Sequence, residues 1–151
     1  MNSLKFLIFV RKISHMLSAL QILGIRNRIN DVGVVDLLER GLTKSNYLKA
    51  KALTGLSHQD LAMILSVSTK TLEGKRGNDR LSDSASERLL KFAEVLALGK
   101  QVFNNQENFN EWLKRPLRPL GGRRPLDLMV NMYGLEVVRQ LLGRIEHGVY
   151  S

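Results

Sequence analysis

The sequence predicts an all-helical protein. Apolar residues recur at every third or fourth position through most of the 151 residues, which is the spacing of a helix with one buried face. Serine, threonine, asparagine or aspartate precedes several of these stretches, where a side chain can cap the first turn. No stretch sustains an alternation of apolar and polar residues, so no strand is predicted.

The first forty residues predict two helices. The apolar run at residues 4–10 resembles the start of a secretory signal, but two basic residues interrupt it and no clean cleavage site follows. The run is also too short to span a bilayer. From 13–23 the apolar residues have helical spacing, and Gly24 is a suitable stop. We expect this helix to pack on the body of the protein or on a second copy, with a membrane-surface helix as the open alternative. Asp31 is the predicted cap of a second helix that ends before Gly41.

Three helix starts are predicted in the middle of the chain. One helix runs from about residue 43 to 53. Ser57 and Asp60 have the spacing of a capping box, so another helix begins at Ser57. Ser84 and Glu87 repeat this spacing and predict the start of a long helix.

The C-terminal part predicts shorter helices separated by a break. Asn108 begins a helix that carries Trp112. Pro116, Pro119 and the two glycines at 121–122 then interrupt the helical pattern and predict a linker or a sharp turn. Pro125 suits the first position of the next helix, and Gly148 is the predicted cap of the last one.

The segment 57–76 has the pattern of a helix-turn-helix motif. The first helix turns Leu61, Ala62 and Leu65 inward, and Val67 fills the gap at the turn. In this motif the first residues of the second helix meet base edges, and basic residues beyond them meet phosphates. The predicted DNA contacts are Ser68, Thr69, Lys70, Thr71, Lys75, Arg76 and Arg80. The alternative is an ordinary antiparallel helix pair with a solvated basic end.

Composition favours a polyanion binder and argues against an enzyme. The formal net charge is +9 and the pI about 10.2, as in proteins that bind nucleic acid. The absence of cysteine excludes disulfides, zinc–thiolate sites and cysteine nucleophiles, and it fits a cytoplasmic protein. No nucleophile–base pair, phosphate-binding glycine loop or metal-ligand spacing is present. We therefore expect no catalytic residue, no metal and no cofactor.

The end of the sequence keeps apolar and aromatic residues as far as Tyr150, whereas a terminus normally carries little information. We expect this end to be buried against something. Arg144 is suited to a bidentate pair with a partner's carboxylate. His147 and Arg123 are two further candidates for contact with a partner. The alternative for His147 is a cation that stabilises a helix C-terminus, and the alternative for Arg123 is a turn residue that caps carbonyls. Together with the DNA-reading segment, this predicts a regulator that also holds a protein partner.

Three motifs occur in a fixed order: Gly121-Gly122-Arg123, Pro125-Leu126-Asp127-Leu128 and Arg144-Ile145-Glu146-His147-Gly148. With the helix-turn-helix pattern, they make the chain from about Gly41 to Ser151 resemble the Xre/MbcA/ParS family of antitoxins, which partner RES-domain toxins in type II toxin–antitoxin pairs. The resemblance does not cover the first thirty residues. Arg124 departs from it, since relatives usually have a small polar residue there.

The resemblance implies an Xre-like DNA-binding domain followed by a small helical toxin-binding domain. We expect an N-terminal extension at 1–40, the DNA-binding domain at 41–105 and the toxin-binding domain at 106–151. It further implies repression of the pair's own operator, a homodimer, a hetero-oligomer with the toxin, and obstruction of a NAD-consuming active site; no membrane partner is expected. The residues expected at the toxin are Arg123, Arg144, Glu146, His147, Val149, Tyr150 and Ser151. The alternative is a stand-alone repressor whose C-terminal part only dimerises.

Overall fold

The computed structural model describes residues 2–26 and 29–148, and within them the protein is all-helical. The described part contains no β-strand, only isolated bridges between Thr43 and Arg80 and between Leu117 and Arg123. The predicted all-helical class is confirmed. The helices are α1 (Ser3–Ile22), α2 (Asp31–Arg40), α3 (Lys44–Ala52), α4 (His58–Leu65), α5 (Thr69–Gly74), α6 (Asp83–Phe103), α7 (Gln106–Lys114), a 3-10 turn (Arg118–Leu120), α8 (Pro125–Leu128) and α9 (Met132–Glu146).

Helix α6 is the central element, because α1, α2, α4, α7 and α9 all pack on it. Its apolar residues are buried on most sides, as in a helix surrounded by others, and one continuous hydrophobic core joins the N-terminal and C-terminal helices. Gly99 of α6 lies under the ring of Phe109, where any side chain would collide with that ring. The absence of a side chain at this position therefore brings α7 close to α6.

Helix α1 is longer than predicted. It begins at Ser3 rather than near residue 13, with Asn2 accepting a hydrogen bond from the backbone of Leu4. Its C-terminal half packs on α6 through buried residues such as Leu20, and Gly24 follows its end with a φ of +76°. Packing on the body is therefore confirmed for that half, whereas the apolar residues of the first half are exposed. No helix in the described residues is long and apolar enough to cross a membrane.

Of the N-caps of α2, α4 and α6, the structure confirms the predicted residue for α4 and corrects it for α2 and α6. Ser57 and Asp60 form the predicted capping box of α4. Asn30, rather than Asp31, caps α2, and Ser82, rather than Ser84, caps α6. Once a helix has nucleated, each further residue adds a backbone hydrogen bond. These helices therefore extend back to an earlier residue whose side chain can cap them.

Helix α7 also begins earlier than predicted, because Asn105 rather than Asn108 caps it. Its inner face forms an aromatic cluster with the end of α6, in which the rings of Phe103, Phe109 and Trp112 lie with centroids 5.6–6.0 Å apart. This cluster fixes the start of the C-terminal region on the central helix.

Candidate DNA-reading helix and partner-binding end

Helices α4 and α5 form the predicted helix-turn-helix. Ala62 and Leu72 are buried between them. Ser66 ends α4 in the left-handed region with a φ of 55°, and the backbone N–H of Val67 donates to the carbonyl of Ala62 at 3.0 Å. The side chain of Val67 packs against the core. The turn is therefore tight, and the start of α5 stands at the surface.

The first turn of α5 separates residues that organise the helix from residues that project. The Ser68 hydroxyl accepts from the Thr71 backbone N–H at 3.0 Å and lies 2.7 Å from the Thr71 hydroxyl. Both hydroxyls therefore take part in the cap. Thr69 is half-buried and Lys70 is exposed. Among these four predicted contacts, Lys70 is the exposed residue with a long cationic side chain, which suits it to reach a guanine edge or a phosphate.

The loop after α5 is held by the N-terminus of α3. The backbone N–H groups of Lys44 and Ser45 donate to the carbonyls of Asp79 and Gly77 at 2.9 and 2.8 Å. These are N–H groups that have no partner inside their own helix. The Asp79 carboxylate accepts from the Arg76 backbone at 2.7 Å. The loop that carries Lys75 and Arg76 is thus fixed to the start of α3.

Two cations near α5 bind the backbone. Lys44 is only 6% exposed, and its ammonium donates to the carbonyl of Leu72 in α5. Arg80 is a predicted phosphate contact. In the structure, one of its terminal nitrogens donates to the Gly41 carbonyl at 2.6 Å. Its remaining N–H groups are the ones that a phosphate would engage. Nothing in the sequence distinguishes Lys44 from the exposed lysines, because its burial depends on how α3 lies against α5.

The last described turn of α9 is held by two other helices. The amide of Gln101 in α6 donates to the Glu146 carboxylate at 2.8 Å. Nη1 of Arg11 in α1 lies 2.9 Å from Nε2 of His147. Arg144 is exposed on the same turn. The structure thus brings Arg144, Glu146 and His147 together and adds Arg11, which sequence reasoning missed because it lies 136 residues from His147.

A groove of about 520 Å³ lies beside this turn, between α1, α6 and α9. Arg11 and His15 line one wall, and a pair of Glu136 and Arg139 lines another. Arg139 donates to Glu136 at 2.6 and 2.8 Å, and these hydrogen bonds lower the pKa of Glu136. The groove therefore presents fixed charges of both signs. Among the described residues, no group of side chains is suited to hold a metal ion.

Gly148 follows α9 with a φ of +72°, a conformation that favours glycine. The predicted contacts Val149, Tyr150 and Ser151 lie outside the described residues. Gly148 is therefore the last residue of this site that the structure describes.

The predicted contact Arg123 lies in a separate turn. Its carbonyl accepts from the Leu117 N–H at 3.0 Å, and its own N–H donates to the Leu120 carbonyl at 3.3 Å. Gly121 and Gly122 have φ values of 66° and 77°, as the tight turn requires. The side chain of Arg123 is exposed and is not part of the groove beside α9. The structure therefore does not place Arg123 with the groove residues.

Arg124 occupies the cap position of α8 but makes no side-chain cap. Its guanidinium instead makes two bonds to Asp127, at 2.9 and 2.5 Å. These bonds lower the pKa of Asp127 and raise the pKa of Arg124. An ion pair at the surface thus occupies the place of the small polar cap expected in relatives.

Two family models match the chain. Residues 34–94 match an antitoxin Xre-like helix-turn-helix domain, and residues 98–148 match an antitoxin Xre/MbcA/ParS C-terminal toxin-binding domain. The first match contains α4 and α5, the second contains α7 to α9, and the two meet inside α6. Residues 1–33, which include α1, lie outside both matches.

Curated relatives agree with both matches. A protein of Sphingobium sp. (strain YBL2) named Prs ADP-ribosylating antitoxin is 27% identical over 134 residues, which cover 82% of this chain and 84% of the relative. A protein named Antitoxin Xre from Photorhabdus laumondii subsp. laumondii is 26% identical and covers 76% of this chain and 79% of itself. An Antitoxin Xre from Yersinia enterocolitica is 25% identical, with 78% and 81% covered. The likeness therefore extends through both domains, and the chain belongs to the Xre/MbcA/ParS antitoxin family.

Proposed function

We propose that this member of the Xre/MbcA/ParS antitoxin family neutralises a RES-domain toxin by placing its C-terminal segment in the toxin's NAD-binding cleft, and that a dimer represses the operon through α5. The observation that carries the proposal is the end of α9. There the most specific family motif, 144–148, is fixed by Gln101 and Arg11. The segment that follows thus starts from a defined place on the protein.

The chemistry of that segment suits a NAD cleft. Such a cleft accepts aromatic rings and anionic phosphates, and Tyr150 supplies a ring. ADP-ribosylation, which appears in the name of the Sphingobium relative, takes its ADP-ribose group from NAD. Arg144 is exposed on the last turn of α9 and has the planar guanidinium that pairs with a carboxylate on a partner.

The DNA-binding part of the proposal rests on α5. Lys70 is exposed at the first turn of α5, where this motif meets base edges. The net charge of +9 favours binding to the phosphate backbone at moderate salt. Two copies are suited to an operator with two-fold symmetry, because each copy supplies one recognition helix.

A growth assay tests neutralisation. Tyr150→Ala and deletion of residues 148–151 are each expressed with the RES-domain toxin that we propose as the partner. Tyr133→Ala is the matched control, since Tyr133 is 82% exposed in the same domain. Truncating an aromatic anchor weakens binding about thirtyfold or more. We therefore expect growth arrest with Tyr150→Ala and with the deletion, but not with Tyr133→Ala.

The same variants keep operator binding in a gel shift, because α5 is unchanged. Conversely, Lys70→Ala weakens operator binding by about 1–3 kcal/mol for the lost base contact and leaves neutralisation intact. Full protection by the deletion variant at matched protein level contradicts the active-site proposal. The inhibitory contact then lies on the body of the C-terminal domain at residues 121–142.

A further inference from the structure

Lys44 is a buried cation that lies behind α5. It is only 6% exposed, whereas Lys70 at the start of α5 and Arg76 beyond its end are exposed. A buried charge costs free energy unless polar partners replace the water that it has lost. Its burial also keeps Lys44 from reaching a phosphate. The charge of Lys44 therefore acts inside the protein rather than on DNA.

The ammonium of Lys44 holds the C-terminal end of α5. It donates to the carbonyl of Leu72 in the last turn of that helix, where a cation is favoured because the last carbonyls of a helix point outward. The same carbonyl accepts from the Lys75 N–H at 3.3 Å, and the Leu72 side chain is fully buried. Lys44 thus binds α5 at the point where the helix ends and the basic loop begins.

Tyr47, one turn further along α3, holds the other helix of the motif. Its ring is completely buried, with the centroid 5.4 Å from the Lys44 nitrogen, which is a cation–π contact. Its hydroxyl lies 2.7 Å from Nδ1 of His58, the first residue of α4. Helix α3 therefore contacts the start of α4 and the end of α5. With the tight turn between α4 and α5, these two contacts fix the angle between the helices.

From this geometry we infer that Lys44 is a positioning residue for DNA recognition: its hydrogen bond to Leu72 sets the angle at which α5 presents Lys70 to the bases. The inference rests on the proposed binding of DNA through α5 and adds the source of its sequence discrimination. A hydrogen bond to a base edge needs its two atoms within about 2.7–3.2 Å, so a small rotation of α5 breaks it. Attraction to phosphates depends on charge and much less on this angle.

Stability alone does not require a lysine at this position. A methionine covers the same surroundings with no charge to desolvate, and replacing a buried charge by an apolar residue of similar volume is often neutral or stabilising. In Lys44→Met the Leu72 carbonyl keeps the N–H of Lys75, so this buried acceptor is not left without a partner. We therefore expect Lys44→Met to fold, with the end of α5 released from α3.

Fluorescence anisotropy of the full chain on two duplexes tests the inference. One duplex is selected from a random-sequence library by the wild-type chain, and the other has the same bases in scrambled order. Lys49→Met is the matched control, because Lys49 is exposed on α3 and the same charge is lost. For Lys44→Met we expect affinity for the selected duplex to fall about tenfold, as for the loss of one base contact. Affinity for the scrambled duplex falls no more than with Lys49→Met, which keeps the wild-type ratio of the two affinities.

Lys44→Gln separates the hydrogen bond from the charge. Glutamine removes the charge, as methionine does, but its amide can still donate to the Leu72 carbonyl. We expect its ratio of the two affinities to lie between those of the wild-type chain and Lys44→Met. Equal ratios in Lys44→Gln and Lys44→Met overturn the inference, because the charge and not the hydrogen bond then sets the discrimination.

The salt dependence of binding distinguishes positioning from direct contact with DNA. Loss of one phosphate contact lowers the slope of log affinity against log salt by about one. We expect the same slope for Lys44→Met and the wild-type chain, and a slope reduced by about one overturns the inference. An equal loss of affinity on both duplexes, with reduced helical content by circular dichroism, also overturns it, because a damaged fold weakens both complexes together.

The outcomes separate this inference from the proposed function. A wild-type chain that enriches no duplex from the library overturns DNA recognition through α5 and the positioning with it. A wild-type chain that discriminates, with Lys44→Met discriminating equally well, overturns the positioning alone. Lys44→Met leaves the C-terminal segment unchanged, so in the growth assay it protects cells as the wild-type chain does. Loss of that protection as well assigns Lys44 to the stability of the fold and overturns the inference.

Discussion

Replacing Gly134 by alanine is expected to separate α8 from α9. A Cβ at residue 134 would lie 2.6 Å from the carbonyl carbon of Leu128 and closer still to its oxygen. These are backbone atoms at the end of α8, so no side-chain rotation can relieve the collision. The N–H of Gly134 also donates to the Asn131 side chain at 2.8 Å, which fixes the first turn of α9.

The loss of stability in Gly134→Ala can be worked out from the rigidity of this contact. Overpacking a close contact costs about 1–3 kcal/mol, and a backbone neighbour puts Gly134→Ala near the upper value. For a chain of this length, each kcal/mol lowers the melting temperature by about 2–4 °C. We therefore expect Gly134→Ala to melt roughly 6–12 °C below the wild-type protein.

Gly143→Ala is the matched control in the same helix. Its Cβ would meet nothing within 4 Å, and alanine in a helix interior is favoured over glycine by about 0.5–1 kcal/mol. We expect it to melt about 1–4 °C above the wild-type protein. Circular dichroism at 222 nm measures all three proteins. If Gly134→Ala melts with the wild-type chain, or if both variants lose stability equally, the close approach of the two helices does not determine stability.

Three further predictions concern the remaining helices. Burial raises the pKa of Tyr47 from 10.0 to about 12, so its contribution of up to about 3 kcal/mol is complete below pH 10 and is lost as the pH rises to 12. In urea unfolding between pH 9 and 12, Tyr47→Phe should remove this slope, and an unchanged slope would assign it to other groups. Ser57→Ala removes a cap of α4 and should cost about 1 kcal/mol in the same assay; a cost near zero would show that the capping box is dispensable. Arg124→Ser restores a capping side chain and removes an exposed ion pair with Asp127, so the melting temperature should stay equal or rise, and a clear fall would show that the ion pair determines the start of α8.

Much of the helical architecture could be predicted because its signals are local. The capping box at Ser57 and Asp60 and the buried face of α4 depend only on residues three or four apart. The same local signals misplaced the caps at Asp31 and Ser84, because neighbouring side chains could cap equally well and the choice depends on how far the helix extends.

What the sequence did not predict depends on tertiary placement. The contact between Arg11 and His147 joins residues from opposite parts of the chain. The burial of Lys44 and the close approach at Gly134 arise only when separate helices meet. Periodicity shows which face of a helix is buried but not which helix covers it, so none of these contacts has a signal in one sequence.

The central helix determines how variants of the two sites must be interpreted. Helix α4 packs on α6 and on α5, and α9 also packs on α6. Arg88 of α6 donates to the Val130 carbonyl at 3.0 Å and so ties the loop before α9 to the same helix. Because both sites rest on one core, a variant that loses operator binding and neutralisation together has a damaged core. Only a loss of one activity with retention of the other assigns a residue to a site, which is why each variant of α5 or of the C-terminal segment must be measured in both assays.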